Sequence, residues 1–368
     1  VKGVFLKLPR LQIRNFSSEF PVIQAGMGVR VGMAPLASEV IRCGGMGTIA
    51  SVGLGDIEKS KKNYEEESCA LLAEEIRAAR RMTNGKGPLG VNIMVALSIY
   101  EAVIRTTVQE KVEYIISGAG LPIYLPEYVG KDADIALIPV ISSGRSLDVI
   151  MKAWKRRYAR KPDAIIVESP LCGGHLGFSM EELASPETRS IEILLKEVRS
   201  VLQNYDCRVP VLAAGAISNR CDIEAMIRLG FDGVQIGTRF ICLEESGMPR
   251  AGKELYVKAR PEDVVIIKSP VGMPVRVLKT PLVERVMAGE RERFSCPYRC
   301  LRTCDCSVVP FCIAKALLDA WKGDVANGLF MTGCDVKGVT EIVTTREFFD
   351  TLKGETPSPS VKSSVCKD

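Results

Sequence analysis

Residues 209–240 read VPVLAAGAISNRCDIEAMIRLGFDGVQIGTRF. An apolar run at 209–213 ends in a turn of small residues, Ala214, Gly215 and Ala216. Asn219 then has the character of a helix cap, and 220–229 carries helical spacing. A second apolar run at 233–236 ends in a second small turn, Gly237 and Thr238. Strand, small turn, helix, strand, small turn is the signature of a parallel βα repeat. Both turns fall at C-terminal strand ends, where they can aim unpaired backbone N–H groups at one point. An anion such as phosphate fits there, and a bulky side chain would block it. The Thr238 hydroxyl can add a donor.

The same rhythm extends upstream. Apolar runs at 21–24, 47–50, 89–93, 114–117, 135–140 and 164–167 lack clean alternation, as strands buried on both faces do. Helical patterns fill 34–43, 65–82, 99–110, 125–129, 146–158 and 190–203, with Ser146 as a further candidate cap. Eight strands alternating with helices over roughly 240 residues predict an α/β fold, a (β/α)8 TIM barrel, whose phosphate sites lie after strands seven and eight. A doubly wound open sheet would place a three-glycine fingerprint in its first βα turn. That turn here reads AGMGVR at 25–30 and lacks the third glycine. From 249 to 293 the rhythm breaks around Pro261, Pro270, Pro274 and Pro281, which suggests a lid, and helical spacing returns at 311–321. The expected organisation is a barrel at 1–248, a lid and Cys-rich C-terminal region at 249–352, and a disordered polar tail at 353–368.

Composition narrows the function classes. The chain has 368 residues, 46% hydrophobic and 25% charged, the balance of a soluble globular protein. Its formal charge of +5 is dispersed, with Lys152, Lys155, Arg156 and Arg157 on one helical segment. That pattern reads as a solvated surface and not as a nucleic-acid interface. No apolar run reaches the ~18 residues of a membrane span. Residues 1–16 lack the apolar region of a signal peptide, so a cytoplasmic location is expected. Thirteen cysteines, an odd number, argue against a disulfide scaffold. Five crowd together: Cys296, Cys300, Cys304, Cys306 and Cys312. Thiolates at such spacing can hold zinc or an iron–sulfur cluster, which makes Cys296, Cys300, Cys304 and Cys312 the metal candidates. The spacing matches neither the paired zinc pattern nor the bacterial ferredoxin run. If 296–304 is helical, three of the thiols share one face, which serves packing equally well. The preferred expectation is a thiol-rich packed segment with no metal.

The chain contains one histidine, within ESPLCGGHLGF at 168–178. His175 follows the sixth strand and is flanked by Gly173, Gly174 and Gly177, which allow close backbone approach to a ligand. Imidazole exchanges protons near neutrality, which makes His175 the catalytic candidate. A His-rich metal site is excluded, and any Ser–His or Cys–His pair must use this residue. Glu168 is the nearest acid in sequence, suited to orienting the loop.

Five stretches together resemble the nitronate monooxygenase family, also known as the 2-nitropropane dioxygenases. They are PVIQAGM at 21–27, GVNIM at 90–94, GGHLG at 173–177, AAGAI at 213–217 and GVQIGTRF at 233–240. Flavin-dependent enoyl-acyl-carrier-protein reductases share that superfamily. The resemblance implies an FMN cofactor. Ala25, Gly26 and Met27 would line its isoalloxazine ring, and Asn92 would hydrogen bond it. Gly215, Ala216, Gly237 and Thr238 would hold its phosphate, with Gly174 also at the cofactor. His175 matches the proposed base that removes the α-proton of a nitroalkane. The implied reaction oxidises a nitroalkane or nitronate. FMN takes an electron from the carbanion-like substrate, and oxygen traps the radical to give a carbonyl compound and nitrite. The alternative within the superfamily passes hydride from NAD(P)H through FMN to an enoyl thioester or a quinone. A non-enzymatic flavin or metal sensor is a third reading, resting on the cysteine segment. Two departures stand out: residues 169–172 separate Glu168 from the Gly-Gly pair, and Ala216 replaces a phosphate-loop glycine. The Gly-Ser-x-Cys loop of the related purine-nucleotide dehydrogenases is absent. The expected partner is a small-molecule substrate, without nucleic acid or membrane, and a homodimer is one open assembly.

Overall fold

The computed structural model describes residues 7–55, 63–185, 189–296, 299–334 and 336–354. A short antiparallel hairpin, β1 (Leu11–Ile13) and β2 (Phe16–Ser18), precedes the first barrel strand. Eight parallel strands follow: β3 (Val22–Gln24), β4 (Gly47–Ala50), β5 (Leu89–Met94), β6 (Tyr114–Gly118), β7 (Ala136–Ile141), β8 (Ile165–Glu168), β10 (Val211–Ala214) and β11 (Gly233–Ile236). The two-residue β9 (Gly174–His175) lies outside the barrel. The eight strands pair in one sheet with β3 and β4 at its ends. A parallel bridge between Ile23 and Met46 joins those ends, with Gln24 N–H donating to the Met46 carbonyl at 2.9 Å. The sheet thus curls into the barrel that the sequence predicts.

The helices between strands are α1 (Ala34–Arg42), α2 (Tyr64–Met82), α3 (Tyr100–Gln109), α4 (Leu125–Val129), α5 (Gly144–Tyr158), α6 (Met180–Ala184), α7 (Ile191–Asn204) and α8 (Arg220–Leu229). Their buried positions recur at helical spacing, for example Leu147, Ile150, Met151 and Trp154 on α5. Asn219 caps α8 as expected, accepting the Asp222 N–H at 3.1 Å. The cap of α5 is Ser143, not Ser146. Its hydroxyl accepts the Ser146 N–H at 3.1 Å, and the helix starts two residues earlier than its hydrophobic period suggests.

The barrel interior is partly polar. Gln24 is fully buried, donates to the Thr48 carbonyl at 2.7 Å and accepts the Thr48 N–H at 3.3 Å. The Tyr114 hydroxyl donates to the Gly47 carbonyl at 2.6 Å. Gly90 makes room for that ring, since a Cβ there would lie 2.0 Å from it. Every buried polar group in this set has a partner, as burial demands.

After β11 come α9 (Thr238–Ile241), α10 (Arg250–Lys258), the antiparallel strands β12 (Val264–Lys268) and β13 (Pro274–Leu278), and then α11 (Pro281–Met287), α12 (Ile313–Lys322) and α13 (Thr345–Lys353). β13 pairs with β9, setting Val275 opposite His175 and Arg276 opposite Gly174. α13 returns to the barrel wall. Phe349 meets Phe20 edge-on at 5.6 Å, and Phe348 meets Phe240 at 5.3 Å. The expected disordered tail begins too early at 353, because Lys353 ends α13 and Gly354 caps it in the left-handed region. Residues 355–368 lie outside the described residues. No helix among the described residues is long and apolar enough to cross a membrane.

Candidate active site

A cavity of about 270 Å³ opens at the C-terminal ends of the strands. Ala25, Gly26 and Met27 follow β3, Asn92 lies in the C-terminal half of β5, Gly174 and His175 form β9, Gly215 and Ala216 follow β10, and Gly237 and Thr238 follow β11. All ten border this one space.

The two small turns form part of its wall. The N–H groups of Gly215, Ala216, Gly237 and Thr238 donate to no protein acceptor among the described residues. Backbone donors are seldom left unpaired, so four together mark a place for an acceptor-rich ligand. Gly215 has φ +105 and Ala216 has φ +55. A Cβ on Gly215 would lie 2.9 Å from the Cys172 backbone nitrogen, so glycine is required there. The α8 N-terminus does not contribute, because Asp222 already accepts the Ser218 and Asn219 N–H groups. α9 is a single turn, so its amides matter and a macrodipole does not. The Thr238 hydroxyl accepts the Gly333 N–H at 2.9 Å and keeps its own proton to donate. Arg239 points away, donating to the Glu341 carbonyl at 2.7 Å.

Gly26 lies hard against Asn92. A Cβ on Gly26 would sit 2.2 Å from the Asn92 side chain. The carboxamides of Asn92 and Gln235 border the cavity and have no protein partner among the described residues. A flat, polar-edged ring on the cavity side of these amides would satisfy both.

The His175 ring shares a 2.8 Å hydrogen bond through Nε2 with the Ser269 hydroxyl. Burial pulls its pKa down to about 4, so the imidazole is neutral at pH 7. Glu168 borders the same cavity from the end of β8 and accepts the Gly177 N–H at 2.9 Å. Burial pushes its carboxyl up to about 7 against the opposing pull of that N–H and of Arg276. Arg276 is buried on β13 and donates to the Cys172 carbonyl.

Several of these residues escape sequence reading. Ser269 and Arg276 come from chain beyond the barrel strands and enter on the β12–β13 hairpin, while Tyr256 of α10 and Met331 and Gly333 border the same cavity. One signal exists in the sequence: Arg276 interrupts the apolar run PVRVL at 274–278. Gln235 lies inside the stretch at 233–240, and nothing in that run sets its carboxamide apart.

The cysteine segment differs from its expectation. Residues 299–312 form turns, not a helix. Asp305 accepts the Ser307 N–H at 2.9 Å and its hydroxyl at 2.6 Å, a local turn that competes with helix, and the helix starts only at Ile313. The shared helix face of Cys296, Cys300 and Cys304 therefore does not exist. Cys300 borders the cavity, and its thiol is pushed up to about 12 by burial and then by Cys296, Cys312 and Cys304. Among the described residues no three His, Cys, Asp or Glu side chains form a set able to hold a metal ion.

A family model described as nitronate monooxygenase matches residues 10–355. The chain belongs to the nitronate monooxygenase family. It is a flavin-type oxidoreductase. A Mycobacterium tuberculosis protein, (3aS,4S,5R,7aS)-5-hydroxy-7a-methyl-1-oxo-octahydro-1H-indene-4-carboxyl-CoA dehydrogenase, is 30% identical over 75% of this chain and 67% of its own length. A probable nitronate monooxygenase of Staphylococcus aureus is 26% identical over 74% of this chain and 79% of its own. Among solved structures, FabK from Thermotoga maritima superposes with a TM-score of 0.70 and 26% identity, covering 92% of this chain and 94% of that one.

Proposed function

We propose that this protein is an FMN-dependent nitronate monooxygenase that oxidises nitronates and nitroalkanes with oxygen to a carbonyl compound and nitrite. The observation that carries the reading is the set of four unpaired N–H groups that border the same cavity as the sole imidazole. Gly215, Ala216, Gly237 and Thr238 would hold the cofactor phosphate. Ala25, Gly26 and Met27 would border its ring, with Gly174 close by, and Asn92 would hydrogen bond the ring edge. When bound, FMN supplies the redox chemistry that no side chain here provides. His175, neutral and steadied by Ser269, would hydrogen bond the oxygens of the nitro group. Val271, Leu301, Ile313, Leu317 and Leu329 extend the cavity with apolar surface, which suits a substrate with a hydrocarbon tail.

A second reading, reduction of an enoyl thioester by NAD(P)H, is favoured by that same apolar extension and by the likeness to FabK. Aerobic turnover of a nitronate and anaerobic mixing with NADH or NADPH together separate the two. The monooxygenase reading expects oxygen uptake and nitrite release from a nitronate, with no bleaching of the flavin by NADH or NADPH. Rapid bleaching by pyridine nucleotide, without nitronate turnover, would refute it.

A further inference from the structure

We propose that the cavity face of α12 receives the hydrocarbon tail of the substrate, and that Ala320 is the residue whose small size admits it. The inference rests on the monooxygenase reading and adds a substrate class to it, nitronates with an unbranched tail of up to about eight carbons.

Ile313, Leu317 and Ala320 of α12 all border the cavity. Steps of four and then three residues put them on one side of the helix, in a line roughly 10 Å long at 1.5 Å per residue. The opposite side faces solvent, with Lys315 and Lys322 exposed. All three stripe residues are buried, and none carries a polar side-chain atom. The stripe has one gap. Ile313 and Leu317 fill their places with branched side chains, while Ala320 ends in a methyl and leaves open the space a leucine would fill.

The protein behind that gap is close-packed. A Cβ on Gly328 would lie 2.8 Å from the Ala320 Cα and 2.7 Å from the Phe330 ring. Phe330 meets Tyr256 edge-on, with 6.2 Å between ring centres, and a Cβ on Gly252 would lie 3.1 Å from it. Leu329 holds the returning chain to the helix, its N–H donating to the Ala316 carbonyl at 2.9 Å. The Tyr256 hydroxyl is pinned in turn on the Met331 carbonyl at 2.7 Å. Side-chain atoms added at 320 are therefore directed into the cavity. A tail laid along the stripe gains by leaving water, by about fourfold in affinity for each buried methylene. At about 1.2 Å per bond an extended chain covers the stripe with about eight carbons, and beyond that length the gain stops. The unpaired amides follow β10 and β11 and the imidazole is on β9, so tail length is read on elements apart from the chemistry.

The test follows kcat/KM, as oxygen uptake by the FMN-loaded protein, for the nitronates of nitroethane, 1-nitrobutane, 1-nitrohexane, 1-nitrooctane and 1-nitrodecane. Wild type is expected to gain about two- to fourfold for each added carbon up to about eight and to level off beyond. A320L is expected to lower the ratio of 1-nitrooctane to nitroethane about 30-fold. A320V fills less of the gap and is expected to lower it by an intermediate factor. Circular dichroism and FMN retention verify that each variant is folded. Calorimetric titration with 1-butanol, 1-hexanol and 1-octanol reads the same stripe without oxidation, and A320L is expected to weaken 1-octanol most. Equal kcat/KM for all tails, or a ratio in folded A320L and A320V within about twofold of wild type, would overturn the proposal. Nitronate oxidation without length dependence counts against the α12 stripe alone. Length-dependent alcohol binding that A320L abolishes, with no nitronate oxidised, counts against the monooxygenase reading and leaves the tail site standing.

Discussion

Replacing Gly215 with alanine tests the phosphate turn directly. The backbone there has φ +105, a region alanine enters at a cost of about 1–3 kcal/mol. The new methyl would stand 2.3 Å from Ser169 Oγ, 2.8 Å from Cys172 Sγ and 2.9 Å from the Cys172 nitrogen. Ser169 could rotate, but its hydroxyl accepts the Leu171 N–H at 3.2 Å, and losing that bond costs about 1 kcal/mol. The Cys172 backbone moves only with the loop that carries His175. Strain and displacement together come to about 3–4 kcal/mol. For a chain this long, about 0.8 kcal/mol corresponds to each degree, so Tm is expected to fall by about 4–5 °C. The turn amides would shift as well, and losing one hydrogen bond to a charged phosphate weakens FMN by about 10–100-fold. Calorimetry with and without FMN and titration by flavin fluorescence measure both effects. Ala216→Gly is the contrast, since it relieves a left-handed alanine and should move Tm by no more than about 1 °C. A G215A protein that melts within about 1 °C of wild type and binds FMN equally well would refute the cradle.

Three further outcomes follow from the buried titrating groups. Glu168 titrates near 7 when folded against an ordinary 4.5, so its stabilising share is present at low pH and lost as pH rises from 4.5 through 7; E168Q should therefore melt higher than wild type at pH 8, by an amount on the order of 2–3 kcal/mol, and lose most of that advantage at pH 5. His175 titrates near 4 when folded against 6.5, so its share is lost as pH falls from 6.5 through 4; its ring signals in 15N NMR should stay those of neutral imidazole from pH 8 to 5.5, and a titration near 6.5 would contradict the burial argument. Cys300, pushed up to about 12, should resist iodoacetamide at pH 8 in the folded protein and react only on denaturation, as mass spectrometry of the alkylated peptides would show.

The barrel is legible in the sequence because its signals are local. Each strand is a short apolar run, and each turn after β10 and β11 names its own small residues. The sole histidine stands out by its glycines, and the cavity gathers it with all the predicted cofactor positions. What stays hidden depends on distance along the chain. β9 is two residues long, and nothing in Gly174-His175 announces a strand until β13 pairs with it. Ser269 reaches the imidazole from 94 positions away. The thiol segment misleads for a different reason: a spacing of four fits a helix, but Asp305 and Ser307 close a turn that the period ignores. The hydrophobic period points to Ser146 as a cap, and it carries no trace of the Ser143 hydroxyl reaching the Ser146 N–H first.

Gly173 packs so tightly on the 332–333 backbone that a methyl there would come within 2.6 Å of the Gly333 nitrogen, and Gly333 in turn binds Thr238. The histidine loop and the turn after β11 are thus clasped by chain about 95 residues beyond that turn, which leaves the ribosome after every barrel strand has emerged. A nascent barrel would have all its strands before this clasp exists, so loop and turn are held together only once residues 332–333 have emerged and folded back.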